Sequence, residues 1–172
     1  MGCAVSDLTI NISKLSEGSH LYDFETDPQN LELDARFKGP VLAHATLQKV
    51  GRQIRLKADV ETNGRFTCDR CLDEFDRNLS THFEILYVTE EGAAPARTED
   101  EIQYINPDAT IVDLGEDVRQ FLILAIPQKL LCSDECRGLC PVCGSNRNKV
   151  GCTCTRKEKD PRWEALRKLS FN

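Results

Sequence analysis

No stretch of the 172-residue chain approaches the roughly 20 consecutive apolar residues that a helix needs to cross a bilayer, so a helical membrane anchor is not expected. The start, Met1-Gly2-Cys3-Ala4-Val5-Ser6-Asp7, lacks the basic patch and apolar stretch of a secretory signal. It formally meets the myristoylation consensus at Gly2, with Cys3 beside it, but a pattern this short arises readily by chance. The expectation is a soluble, cytoplasmic protein with no membrane partner. Histidine is scarce: His20, His44 and His82 are scattered, with no Asn or Asp pattern that would pair one of them with a nucleophilic cysteine. Nothing therefore points to an enzyme or a small-molecule substrate. Aromatics make up 6% of the chain, and after residue 127 there are only Trp163 and Phe171, which leaves little for base stacking. There is no internal repeat.

Charge is present but unevenly spread. Residues 1–126 hold 12 Lys and Arg against 23 Asp and Glu, a net of -11, whereas residues 127–172 hold 10 against 5, a net of +5. A basic tail on an acidic body points toward a polyanionic partner. The simpler reading is a solvated face on the tail.

Residues 8–88 read mostly as strand. Leu8–Ile12 alternates, 41–47 and 53–60 flank a turn at Val50-Gly51, and Ile54, Leu56, Ala58 and Val60 fall on one sheet face. Residues 83–88 add another strand, and 89–101 read as an acidic, mobile loop. Over 113–125, with Asp113 as cap and Pro127 as stop, Leu114, Val118, Phe121, Leu122 and Ala125 share one helical face. A last helix is predicted from Asp160-Pro161, with Trp163, Leu166 and Leu169 on one side and Trp163 a packing anchor. The fold class expected is α+β: a mostly antiparallel β-sheet or open barrel with a packing helix (residues 1–126), then a cysteine-rich, zinc-stapled basic module with a terminal helix (127–172).

The nine cysteines carry the strongest signal, and six fall within 23 residues. Without an export signal the compartment is read as reducing, which favours metal ligation over disulfides. Zinc takes four ligands in a tetrahedron, and a Cys-x-x-Cys turn brings two thiolates to one ion. Cys140-Pro141-Val142-Cys143-Gly144 is a strong form of that turn, because the residue after the second cysteine can require a positive φ that Gly adopts freely. Cys152 and Cys154 can close the same site from an opposing strand. Cys68, Cys71, Cys132 and Cys136 have the right count for a second ion, leaving Cys3 as the spare; a single ion held by four tail cysteines is the alternative. Cys136-x3-Cys140-x2-Cys143 also matches the cluster spacing of radical enzymes that use S-adenosylmethionine, but those need a large barrel downstream and only 29 residues remain. Residues 132–172 number 41, near the size below which a chain rarely folds without a staple. Four thiolates on Zn2+ leave a net of -2, so one site lowers the tail from +5 to +3 and two lower it to +1. Positive field must then come from local clustering. The candidate nucleic-acid contacts are Arg147, Lys149, Arg156, Lys157, Lys159 and Arg162, with Arg167 and Lys168 beyond.

At these residues the chain resembles a known family. The Cys68-Asp-Arg-Cys71-Leu72 segment after a strand, the helix before Pro127, Cys132-x3-Cys136-Arg-Gly-Leu-Cys140-Pro-Val-Cys143-Gly144, Asn146-Arg147-Asn148, Cys152-x-Cys154 and Asp160-Pro161-Arg162 look like the YceD, or large ribosomal RNA subunit accumulation protein, family. Asn-Leu-Asn is usual where this chain has Asn146-Arg147-Asn148, a departure that adds charge. The resemblance implies a bacterial, cytoplasmic, non-catalytic protein linked to 23S ribosomal RNA synthesis, processing or stability, with ribosomal RNA or an assembly protein as partner. It also implies a gene that often neighbours that of a small large-subunit ribosomal protein. Two other readings compete with it: a redox sensor using Cys68 and Cys71, and a protein–protein adaptor with purely structural zinc.

Overall fold

Period-two alternation builds most of what the computed structural model describes, which is residues 8–89 and 101–155. The elements in order are β1 (Thr9–Asn11), β2 (Gly18–Thr26), a 3-10 turn (Pro28–Leu31), β3 (Val41–Val50), β4 (Gln53–Thr67), β5 (Glu74–Val88), β6 (Glu101–Tyr104), β7 (Ile111–Asp113) and α1 (Gly115–Leu124). In β4 every second residue from Ile54 to Phe66 is buried, the pattern of a strand with one face on the core. Chain neighbours pair along β2-β3-β4-β5-β6 in one open sheet, and β1 pairs with β7 in a second. The sheets are open; no barrel closes among the described residues.

Register follows the pattern. Gly18 pairs with Lys49 and Thr26 with Val41; Leu42 pairs with Glu61 and Val50 with Gln53. The two-residue turn between β3 and β4 is therefore Gly51-Arg52, one residue later than the sequence placed it, and Gly51 takes φ 59° as such tight turns demand. Arg65–Asp76, Asp59–His82 and Lys57–Glu84 bridge β4 and β5 with antiparallel spacing. One pairing departs from the antiparallel expectation: β6 runs parallel to β5, from Ile85–Glu101 to Val88–Tyr104. Twelve residues separate Val88 from Glu101, enough chain for the crossover a parallel neighbour requires. Where β6 pairs, Ile85, Leu86, Tyr87 and Val88 are all buried, so this end of β5 is covered on both faces.

Two compact units emerge. The first is Met1–Phe66 with Phe75–Lys129, and the second is Thr67–Glu74 with Leu130–Asn172. In the first unit Leu8, Ile10, Leu47, Leu56, Val60 and Ile85 form a dry aliphatic core with Leu114, Val118 and Leu122 of the helical stripe. Phe121 stacks on Phe83, with ring centroids 4.3 Å apart and planes 5° from parallel. The helix starts one residue later than a cap at Asp113 implies, with Leu114 in the cap position. Asp113 ends β7 instead, and its Oδ1 accepts a 2.8 Å bond from the Gly115 amide, so it still serves one of the unpaired donors of the first turn. Most of the loop expected over 89–101 and all of the helix expected from Asp160 lie outside the described residues, as do Gly2 and Cys3; Glu101 itself opens β6.

Candidate metal centre

The second unit buries almost no hydrocarbon. Its buried non-polar side chains, among the described residues, are Cys68, Cys71, Cys136 and Cys140, while Leu72, Val142 and Val150 stand more than half or half exposed. It has no helix or strand of its own there beyond the ends of β4 and β5, only an isolated bridge between Leu139 and Asn146. Packing does not account for its fold; its sulfurs sit where a core would.

Two turns of the same shape present those sulfurs. In 68–72, the Leu72 amide donates to the Cys68 carbonyl at 2.9 Å; in 140–144, the Gly144 amide donates to the Cys140 carbonyl at 2.9 Å. The residue after the second cysteine is left-handed in both, Leu72 at φ 61° and Gly144 at φ 73°. Around the first turn Asp69 exchanges bonds with Leu130, its amide donating to the Leu130 carbonyl (2.8 Å) and its Oδ2 accepting from the Leu130 amide (2.7 Å). Arg70 Nη1 donates to the carbonyls of Asp134 and Cys136. Gly138, at φ 68°, lets the Leu139 amide reach the Arg70 carbonyl at 3.0 Å; a Cβ on residue 138 would lie 3.0 Å from that same oxygen.

The result is two tetrads of free thiols: Cys68, Cys71, Cys132 and Cys136 in one, Cys140, Cys143, Cys152 and Cys154 in the other, each set within 4.8 Å. Sγ–Sγ distances are 3.8 Å for Cys68–Cys136 and 3.6 Å for Cys71–Cys132, then 3.7 Å for Cys143–Cys152 and 3.3 Å for Cys140–Cys152. A tetrahedron with Zn–S bonds of about 2.3 Å has edges of about 3.8 Å, so both donor sets fit a four-coordinate thiophilic ion. The burial differs: three of the first four sulfur residues are buried, but Cys143 and Cys154 are exposed and Cys152 half-buried.

Electrostatics prepare both sets for a cation. Burial opposes ionisation of Cys68, yet backbone hydrogen bonds from Cys132, Cys71 and Arg70 bring its thiol down to about 6. The Ser145 hydroxyl and amide do the same for Cys143, also to about 6. Against them, the sulfurs of Cys152 and Cys143 push Cys154 up to about 12. Four thiols in one small space cannot all ionise unless a positive ion joins them. Asn148 Nδ2 donates to Cys136 Sγ at 3.2 Å and the Cys154 amide lies 3.4 Å from Cys152 Sγ, bonds of the kind that orient metal-bound thiolates.

The structure thus brings together all eight cysteines named from spacing, in the grouping that spacing proposed. Of the basic residues, Arg147 lies in a recess of about 350 Å³ with Cys140, Pro141, Val142, Cys152 and Cys154. Lys149 Nζ donates to Asp73 Oδ1 at 2.9 Å, which shares its charge with a carboxylate. Arg156, Lys157, Lys159 and Arg162 lie outside the described residues. Spacing did not single out Asp73, Asn146 or Asn148 for the hydrogen bonds they make. The Asn-x-Asn pair inside the knuckle loop was the available signal, since loop asparagines often bond locally to backbone.

No solved structure matches the chain. Two curated plant proteins do, both named "Large ribosomal RNA subunit accumulation protein YCED homolog 1, chloroplastic". The one from Arabidopsis thaliana is 25% identical, covering 76% of this chain and 48% of the relative, and the one from Zea mays is 26% identical, covering 70% and 50%. The chain spans about half the length of these relatives. Residues 56–170, which include both cysteine tetrads and the strand leading into the first, match the family described as "Large ribosomal RNA subunit accumulation protein YceD", and the chain belongs to that family.

Proposed function

We propose that this protein is a zinc-stapled binding protein that supports the accumulation of large-subunit ribosomal RNA by contacting that RNA, and that it is not an enzyme. The observation that carries the reading is the grouping of eight sulfurs in two tetrads at tetrahedral spacing, four of those cysteines being the unit's buried non-polar residues among the described ones. Cys68, Cys71, Cys132 and Cys136 hold one Zn2+; Cys140, Cys143, Cys152 and Cys154 hold the other. The ions supply folding free energy and fixed charge, not reaction chemistry: each has four sulfur donors and no open position for substrate. Arg147 and Lys149 on the knuckle loop, with Arg156, Lys157, Lys159 and Arg162 following in the sequence, contact phosphates, which positions RNA without reading its bases. The family name and the relatives' names support the choice of partner, together with the local clustering of basic side chains in residues 127–172, whose net charge falls from +5 to +1 when both ions are counted against it. The place of action is a ribosome-containing compartment, which for the named relatives is the chloroplast.

Elemental analysis of the purified chain tests the metal: two zinc ions per chain are expected. Filter binding to large-subunit ribosomal RNA fragments at rising salt tests the partner, with affinity falling steeply as each phosphate contact is screened. Retention no better than for an unrelated acidic protein rejects RNA as the partner. A protein partner is the second reading, favoured by Leu72: 63% exposed and left-handed, it combines strain with an apolar side chain in solvent. Pull-down of assembly particles that survives ribonuclease treatment marks that outcome.

A further inference from the structure

The loop from Gly144 to Gly151 begins and ends beside cysteines of the second tetrad and bonds to Cys140 and Cys143 through Gly144 and Ser145, yet from Asn146 to Lys149 it turns to the residues around the first. Asn148 donates to Cys136 Sγ (3.2 Å) and its Oδ1 accepts from the Arg137 amide (2.8 Å). Asn146 Nδ2 and Lys149 Nζ both grip the Asp73 carboxylate, at 2.8 and 2.9 Å. Asp73 in turn accepts the Cys68 amide on its carbonyl at 2.9 Å, and the Arg147 amide donates to the Gly138 carbonyl at 2.9 Å. One loop therefore braces both halves of the first tetrad: the 68–73 turn through Asp73, and the 132–138 segment through Cys136, Arg137 and Gly138.

From this we infer that the two sulfur tetrads load metal cooperatively, with the 144–151 loop as the coupling element and Asn146, Asn148 and Lys149 as positioning residues for the first site. The inference rests on the zinc reading above. Filling the second tetrad ties Cys143 to Cys152 and confines the loop between them, so the ordering needed to brace Asp73 and Cys136 is already complete when the first tetrad binds. Conversely, an ion in the first tetrad fixes the residues that anchor the loop and favours closure of the second. Linkage makes the two effects equal. The Asn148 amide adds a direct contribution, because an N–H donor to a metal-bound thiolate disperses its charge, and partners of this kind typically change metal affinity about 10–100-fold.

The test uses the full chain titrated with Co2+, whose thiolate absorption reports each filled tetrad, and with Zn2+ against a competing chelator. In a Cys152→Ser/Cys154→Ser variant the remaining tetrad is expected to bind at least about tenfold more weakly than the first tetrad of the native chain, within the usual 5–150-fold span of such couplings. An Asn146→Ala/Asn148→Ala/Lys149→Ala variant keeps every sulfur and should still hold two ions, but fill them independently. Asn148→Asp keeps the acceptor for the Arg137 amide and loses the donor to Cys136, so it should weaken the first site and shift its Co2+ absorption while leaving the second near native. A first tetrad of native affinity in the cysteine double variant, or cooperative filling of native strength that survives loss of Asn146, Asn148 and Lys149, overturns the coupling while the zinc reading stands. A native chain that holds no metal overturns both.

Discussion

The two units of this chain solve the same problem with different materials. The first buries Leu, Ile, Val and Phe from an alternating sheet and one helical stripe, so its stability is spread over many side chains. The second has cysteine as its only buried non-polar residue among those described, and on the zinc reading proposed above its stability is concentrated in a few bonds to ions. Spread stability tolerates the loss of one contact; concentrated stability fails when one component is withdrawn.

Metal removal should break the symmetry most. Chelation at neutral pH is expected to abolish amide protection over 130–155 while β3, β4 and α1 keep theirs, because structural zinc contributes on the order of 10–16 kcal/mol per site in small domains. Hydrogen exchange followed by mass spectrometry reads both units at once, and a tail that stays protected without metal defeats the comparison. Next in size, Leu56→Ala, at a fully buried position in β4, should cost about 2–5 kcal/mol in the first unit and leave the zinc content at two. Denaturant unfolding with metal analysis on the same samples separates the units from the other side.

A smaller effect sharpens the likeness of the two knuckles. Leu72 holds the left-handed conformation that Gly144 adopts without a Cβ, so Leu72→Gly should stabilise the metal-loaded protein by about 1 kcal/mol, visible as slower zinc release. Smallest is a pH effect confined to the first unit. Burial raises the pKa of Asp117, with the charges of Glu101 and Glu116 adding to it, although bonds from Gln103 and Tyr87 partly offset the rise. A raised folded pKa means the folded form holds the proton more tightly, so the penalty is complete above that pKa and fades as pH falls toward the unfolded value. Asp117→Asn should therefore stabilise the first unit at pH 7 by under about 1 kcal/mol, with the gain vanishing near pH 4. A thermal-melt series across that range checks the sign.

What was legible in the sequence tracks where a single periodicity or spacing carries the structure. Ile54 to Val60 alternate in apolar character and are buried accordingly; Leu114, Val118 and Leu122 recur at helical spacing and line the core. Both sulfur tetrads were legible as spacing plus arithmetic. The start of β5 was not, because Glu74 to Ser80 offers only Phe75 and Leu79 as apolar residues, with Arg77 between them, and is held as well by cross-strand pairs such as Arg65–Asp76. β6 leaves no signal in the sequence beyond Glu101 at the end of the acidic 89–101 segment, because its four residues are exposed or half-exposed and gain their shape from parallel pairing with β5. The bracing asparagines left no periodic trace at all: their partners, Asp73 and Cys136, are 73 and 12 positions away.

The separations between the sulfurs also set how long each tetrad waits for its last member during synthesis. In the second tetrad the close pairs are only 9 and 12 positions apart, so the ion proposed for it would be captured within a short stretch of newly emerged chain. The first tetrad joins sulfurs 61 and 68 positions apart, and Cys68 and Cys71 must wait, as exposed thiols, while the strands β5 to β7 and the helix are made. That interval is the period in which a nascent chain is most open to oxidation or to the wrong metal.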